Sequence, residues 1–236
     1  MSSHIQKVAV VTGASQGIGA GLVVGYRELG YAVVATSRTI DESQDADVHT
    51  VQGDIADRAT AERVIAAGIE RFGRIDTLVN NAGIYIGNAF TDYTEEQYNS
   101  MVAVNLTGFF RISQLAIQQM LARGGGHIVQ ITTTLAEYAN SKVPSVLASM
   151  TKGGLQSATK ALAIEYATRG IRSNAVALGT IKTPMTEGYY ETLAALHPVG
   201  RMGEVKDVVD AVLYLENAPF VTGEILHVDG GQSAGH

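Results

Sequence analysis

The sequence predicts an α/β fold: a doubly wound parallel sheet of about seven strands with helices on both faces. Three observations carry that expectation. An apolar, β-branched run, Val8-Ala9-Val10-Val11, ends in a glycine turn and passes into an amphipathic segment rich in Leu and Val. That is the pattern of a buried parallel strand, a tight loop and a helix. Strand-like runs then alternate with helical ones along the chain, which implies βαβ crossovers. Finally, the residues suited to chemistry follow strands or open helices, where such sheets hold ligands beyond the strands' C-terminal ends.

In the first turn, Gly13, Gly17 and Gly19 allow a sharp bend and a close approach that a Cβ would block. The backbone N–H groups of the loop, which runs through Ser15, Gln16 and Ile18, join the helix N-terminus in presenting positive charge to a phosphate. The spacing is G-x-x-x-G-x-G, not the G-x-G-x-x-G of the commoner dinucleotide fingerprint. The helix ends near Gly30, and Tyr31 to Thr36 reads as the second strand, with Val48 to Gln52 the third. Thr60 to Phe72 has apolar residues at helical spacing, and Asp76 to Asn80 is the fourth strand. Thr94 to Leu121 is a long helix or a broken pair, followed by a strand over His127 to Thr132. Ser145 to Thr168 is a helix and Arg172 to Ala177 a strand. Lys206 to Leu215 is a short helix, and Ile225 to Val228 is the last strand. No repeat or linker interrupts the series, so one domain over 1–236 is expected, with a substrate lid near 184–203.

Composition narrows the function. Hydrophobic residues make up 46% and charged residues 17%, a globular balance. A net charge of −6 gives no electrostatic case for nucleic acid or an anionic membrane as partner. With no cysteine, disulfides and thiolate metal sites are excluded, and no metal is expected. The first strand begins too early for a signal peptide, and no apolar run approaches membrane-spanning length. A soluble, cytoplasmic protein is the expectation.

Together the motifs are specific. They are Thr12-Gly13-x-x-x-Gly17-Ile18-Gly19, Asp54-Ile55, Asn80-Asn81-Ala82-Gly83, Asn105, Lys152, Arg172-Ser173-Asn174-Ala175-Val176, Gly179-x-Ile181-x-Thr183 and Asp229-Gly230-Gly231. In order and spacing the chain resembles the short-chain dehydrogenase/reductase family nearly end to end. The resemblance implies a Rossmann-like fold and a nicotinamide-dependent oxidoreductase acting on a small carbonyl or alcohol. It also implies a homo-oligomer, tetramer or dimer. Asp54 and the Ile55 amide would meet the adenine, and Asn81-Ala82-Gly83 would pass close to the ribose. As a plain reading, Asp54 is a helix cap, although Asp57 is better placed for that. Asn105 sits in a helical stretch for which it has poor propensity, so a local irregularity is expected there. In the family the corresponding Asn bends the helix and holds a water. Gly179, Ile181 and Thr183 resemble the segment that contacts the nicotinamide carboxamide. Leu178 stands where the family usually has Pro, which would loosen that loop. His197 reads as a lid or packing residue rather than a catalyst.

Cofactor choice follows from charge. An NAD enzyme places a carboxylate after the second strand, whereas a 2′-phosphate is met by Arg. Here Ser37 occupies the acidic position and Arg38 follows, so NADP(H) is expected in preference to NAD(H). Arg38 as a solvated loop residue, near Asp41 and Glu42, is the alternative.

The catalytic pattern breaks at one point. The family uses Tyr-x-x-x-Lys on a helix and a Ser on the preceding strand. Counting back from Arg172-Ser173-Asn174 places the lysine at Lys152, and the tyrosine position is then Ala148. Thr133 aligns with the Ser. Tyr138-Ala139-Asn140-Ser141-Lys142 has the motif's letters, but Pro144 follows too soon for a long helix. One expectation is that Tyr138 swings into the space Ala148 leaves and supplies the phenol; the other is that it is a loop aromatic at a subunit interface. Ser149 is a weaker substitute. The catalytic set is therefore Asn105, Thr133, Lys152 and Tyr138. A cofactor-binding sensor or partner subunit without turnover is the second reading.

Overall fold

The computed structural model describes residues 6–235. Residues 1–5 and 236 of the expected 1–236 domain lie outside the described residues. The strands are β1 (Val8–Thr12), β2 (Ala32–Ser37), β3 (Val48–Gln52), β4 (Thr77–Asn80), β5 (Gly126–Thr133), β6 (Ile171–Leu178) and β7 (Ile225–Val228). Between them lie α1 (Gly17–Glu28), α2 (Arg58–Phe72), α3 (Glu95–Val102), α4 (Phe109–Arg123), α5 (Val146–Tyr166), α6 (Tyr190–Ala194) and α7 (Val205–Asn217). The strands pair in parallel in the order β3-β2-β1-β4-β5-β6-β7. The winding reverses between β1 and β4, which opens a crevice at their C-terminal ends.

Alternation along β1 sets the two layers. Ala9 and Val11 pack with Leu22 and Tyr26 of α1 and Val208, Val212 and Leu215 of α7. Val8 and Val10 face the other way, onto Val64 and Ile65 of α2 and Ile112, Ala116 and Met120 of α4. Burying both faces explains the continuous apolar run that predicts this strand. Asp57 caps α2 by accepting from the Ala59 N–H at 3.1 Å, as its position suggests.

Of the two expectations for Thr94 to Leu121, the structure shows the long helix, with an irregular turn inside it. α3 and α4 join through a π-helical turn, Ala103–Gly108, with Asn105 inside it. The continuous helix Glu95–Arg123 runs 29 residues, with a stretch of mean hydropathy 1.2. This corrects the expectation that no apolar run approaches membrane-spanning length. The apolar stripe is accounted for by the fully buried Ile112, Ala116 and Met120.

The opposite end of the sheet holds a buried polar cluster. The Glu216 carboxylate accepts from Tyr31 Oη at 2.9 Å, Tyr26 Oη at 3.2 Å and Thr77 Oγ1 at 3.0 Å, and pairs with His127 Nδ1 at 2.9 Å. Asn174 Nδ2 lies 3.0 Å from the other His127 nitrogen, and Arg172 donates to the Leu215 and Glu216 carbonyls. Burial alone would raise the Glu216 pKa, but the hydrogen bonds from His127, Tyr31 and Thr77 outweigh it and bring it down to about 2. Burial lowers the His127 pKa. A carboxyl depressed on folding stabilises above its ordinary value of 4.5, and that stability is lost as pH falls from there toward 2. Glu216→Gln should therefore cost about 2 kcal/mol or more at pH 7. Urea unfolding from pH 7 to pH 2.5 should show the gap between variant and wild type closing; a gap independent of pH would contradict this account.

Candidate active site

The crevice is built first from backbone. Gly13 has φ +67°, and a Cβ there would lie 2.9 Å from the Ala82 Cα, so the β1–α1 turn and the chain after β4 touch directly. Thr12 and Asn81 lock that approach. Thr12 Oγ1 donates to the Val79 carbonyl at 3.3 Å and accepts from the N–H groups of Asn81 and Ala82 at 3.1 and 3.0 Å. Asn81 Nδ2 returns bonds to the carbonyls of Thr12 at 2.9 Å and Gly13 at 3.1 Å. Ser15 and Gln16 are exposed at the turn, and Gln16 heads α1 without a side-chain cap. The first-turn N–H groups are thus left for an anion, beside Gly17, Ile18 and Gly19.

At the other end of the crevice, Ser37 closes β2 and its Oγ accepts from the Thr39 N–H at 3.2 Å. Arg38 is exposed, and its guanidinium makes no ion pair with Asp41 or Glu42. Asp54 Oδ1 accepts from the Ala56 N–H at 2.9 Å, while Ile55 is buried in the α2 and α4 layer. These backbone donors and this glycine cradle fit a phosphate-bearing dinucleotide.

A second group of polar side chains lies where the chain leaves β4 and β5. Asn105 Oδ1 accepts from the Ile84 N–H at 2.9 Å, and its Nδ2 donates to the Ile84 carbonyl at 3.0 Å and to Thr151 Oγ1 at 3.2 Å. The π turn thereby grips the loop after Gly83. Lys152 Nζ donates to the Ile131 carbonyl at 2.8 Å, and a Cβ on Gly83 would lie 2.9 Å from it. Burial lowers the Lys152 pKa from 10.5 to about 8. Thr133 Oγ1 accepts from the Leu135 N–H at 3.3 Å and reaches the Leu178 carbonyl at 3.4 Å, so it is held by its own turn.

Of the two placements open to Tyr138, the structure does not show the swing into the Ala148 space; the residue is a half-exposed loop aromatic. The loop's short 3₁₀ turn, Thr134–Ala136, carries it toward β7, and its half-exposed ring stands edge-on to His227 with centroids 6.2 Å apart. It lines a cavity of about 350 Å³ with Asn140 and residues 232–235. The space beside Ala148 is closed instead by Met101, Leu147, Ile84, Ile86 and Tyr93. Apolar burial there leaves a phenol nothing to displace, and the loop anchors through the Tyr138 N–H to the Thr134 carbonyl at 2.9 Å. Ser149 is no substitute, since its Oγ donates to the Leu135 carbonyl at 2.8 Å.

The loop after β6 is firm, contrary to the loosening expected from Leu178. Leu178 stays in the ladder, paired with Thr133 and Val228. The Lys182 N–H donates to Gly203, the Gly203 N–H to Thr180, and Ile181 bridges Gly203. His197 Nε2 accepts from the Thr180 N–H at 2.9 Å, which requires that its Nδ1 donate to the Leu193 carbonyl at 3.0 Å. A Cβ on Gly179 would strike this imidazole at 2.7 Å. His197 is a packing residue that ties Leu193 to the loop after β6. Thr183 heads the turn Pro184–Thr186 and lies against Gly17, closing the crevice. The sequence reading left Thr12 and Thr151 out of the site; their only signal is adjacency to Gly13 and Lys152.

A family model described as enoyl-(acyl carrier protein) reductase matches residues 13–233. The 3-oxoacyl-(acyl-carrier-protein) reductase FabG of Thermotoga maritima is 34% identical over 241 residues, 95% of this chain and 97% of that protein. Among solved structures, ElxO with NADP bound has a TM-score of 0.91 and 28% identity, covering 98% of this chain and 100% of that one. A short-chain type dehydrogenase/reductase from Mycobacterium marinum has a TM-score of 0.92 and 28% identity, covering 98% of this chain and 97% of its own.

The Thr12–Asn81 lock predicts a stability effect. Asn81→Ala removes two side-chain bonds and should lower stability by about 1–2 kcal/mol. A calorimetric melt should fall by roughly 3–6 °C; an unchanged melt would deny the lock its structural role.

Proposed function

Because this chain belongs to the short-chain dehydrogenase/reductase family of nicotinamide-dependent oxidoreductases, we propose that it is an NADP(H)-dependent carbonyl reductase or alcohol dehydrogenase. Its substrate is a small carbonyl or alcohol, and it works in the cytoplasm as a homo-oligomer, dimer or tetramer. The observation that carries the cofactor choice is Arg38: an exposed guanidinium with no ion pair among the described residues, at the end of β2, where an NAD enzyme holds a carboxylate. ElxO, similar over nearly the whole chain, was solved with NADP bound.

The bound dinucleotide supplies a hydride at its nicotinamide ring. The chain's residues do the rest. Gly13, Ser15, Gln16, Gly17, Ile18 and Gly19 hold the diphosphate through backbone N–H groups, and Ser37 and Arg38 hold the 2′-phosphate. Asp54 and Ile55 receive the adenine, Asn81, Ala82 and Gly83 the ribose, and Gly179, Ile181 and Thr183 the carboxamide. Lys152 adds a cation beside the ribose, Asn105 fixes the loop before it, and Thr133 borders the carbonyl. Residues 184–203 cover the substrate, with Met185 and Tyr189 exposed on that segment. One observation favours the second reading, a cofactor-binding sensor or partner subunit: Ala148 is sealed among apolar side chains.

Self-association has visible surfaces. Phe110 on α4, Met150 and Ile164 on α5, and Phe220 before β7 are exposed apolar residues, Ile164 at 82% and Phe220 at 102%. Ile164→Glu should shift the species measured by light scattering to a smaller mass at the same concentration; no shift would remove α5 from the interface.

Cofactor choice is tested by fluorescence titration. NADPH should bind at least about tenfold more tightly than NADH, and Arg38→Ala should weaken NADPH roughly 10- to 100-fold with little change for NADH. Tighter binding of NADH by the wild type would overturn the NADP(H) reading.

A further inference from the structure

The cavity beside Tyr138 shares no lining residue with the dinucleotide crevice. It holds about 350 Å³, between the β5–α5 loop at Tyr138, Ala139 and Asn140 and the chain after β7 at residues 232–235. That is the volume of a small-molecule site. Gln232 gives it a built polar group. The residue is only 7% exposed, and its backbone N–H is spent on the Asp229 carbonyl. Among the described residues its side-chain amide has no hydrogen-bond partner, and it is open to the cavity instead of sealed in protein. A primary amide brings two N–H donors and a carbonyl acceptor, and burying them unpaired is costly. From the loop side, Asn140 Oδ1 accepts from the Lys142 N–H at 2.9 Å, and among the described residues its Nδ2 donors are unspent. The Tyr138 hydroxyl has no partner there either.

We propose that this cavity binds a small uncharged ligand by a carboxamide group, held by Gln232, Asn140 and the Tyr138 hydroxyl. Two planar amides pair reciprocally. The Gln232 Nε2 donates to the ligand's carbonyl, and its Oε1 accepts the ligand's N–H. Asn140 Nδ2 and Tyr138 Oη add donors for the ligand's remaining acceptors. The site stands apart from the oxidoreductase reading and gives Tyr138 a place outside the chemistry of the crevice.

Charge selects the class. Among the described residues, none with a charged side chain lines the cavity. The acids around it are engaged elsewhere. Asp229 accepts from Thr134 Oγ1 at 3.0 Å and from the N–H groups of Gly231 and Ser233 at 3.0 and 2.9 Å. Glu137 Oε1 lies 3.4 Å from His227 Nε2. An anion would enter with no cation to meet it, against a net charge of −6. A cation would meet mostly N–H donors, which repel it. A neutral group that both donates and accepts is what these side chains complement.

The test uses the full chain, with and without NADP⁺. The probe is N-acetylalaninamide, and its control is N-acetylalanine, an anion of nearly the same shape. Saturation-transfer NMR reads binding from the probe's own signals. The amide should bind saturably, at least about tenfold more tightly than the carboxylate, and within about twofold of the same affinity when NADP⁺ is present. Gln232→Leu should weaken it about tenfold or more, and Tyr138→Phe and Asn140→Ala about threefold each. If Gln232→Leu lowers the melt, Tyr138→Phe and Asn140→Ala, both on the loop, decide the matter. Binding that NADP⁺ abolishes belongs to the dinucleotide crevice and overturns the proposal. So do equal affinity for the carboxylate, no saturable binding, or affinity unchanged by the variants. None of these outcomes touches the oxidoreductase reading, which NADPH titration and turnover test separately.

Discussion

The site depends on one close approach, the contact of the β1–α1 turn with the chain leaving β4. Two parallel strands at a reversal of winding diverge at their C-terminal ends, and the crevice exists because they do. Yet a ligand site needs walls at fixed separation. The Thr12 hydroxyl, which both donates to β4 and accepts from two N–H groups beyond it, fixes that separation. Asn81 closes the same ring from the other side. Gly13 is then required by contact as well as by its φ. Everything downstream inherits the position: Gly83 follows Asn81 by two residues, and Ile84, held by Asn105, follows at once.

The two ends of the sheet divide the labour. Glu216, His127, Tyr26, Tyr31 and Thr77 satisfy one another in a buried cluster at the strands' N-terminal side. Such a network is costly to leave half-made, so it holds the sheet in one register. At the C-terminal side the polar groups are left with spare capacity: N–H groups at α1, the Arg38 guanidinium, two protons on Lys152. Bonds are complete where rigidity is needed and incomplete where a ligand is to bind.

The fold was legible because its signal is local. A parallel strand buried on both faces writes itself as a continuous apolar run, and helices between strands leave a period of their own. Asp57 as a cap and an irregularity at Asn105 were readable for the same reason: each is a residue at odds with, or fitted to, its immediate neighbours. What stayed hidden depends on chain segments far apart. Glu216 meets residues from α1, β4 and β5, and no spacing reveals that. The firmness of the loop after β6 comes from His197 and Gly203, not from Leu178 itself. The direction of Tyr138 was likewise unreadable, because a loop's path is decided by where its ends anchor. Ala148 and Lys152 share one helix a turn apart, which spacing alone could predict.

Lys152 shows what burial does to a group with spare bonding capacity. Its Nζ gives one N–H to the Ile131 carbonyl and stands against Gly83, where a side chain would crowd it. An ammonium buried with one acceptor is costly, and burial weakens its hold on its proton, bringing its pKa to about 8. Gly83 is therefore required by contact in the same way as Gly13: each lets one chain segment approach another that a Cβ would hold off.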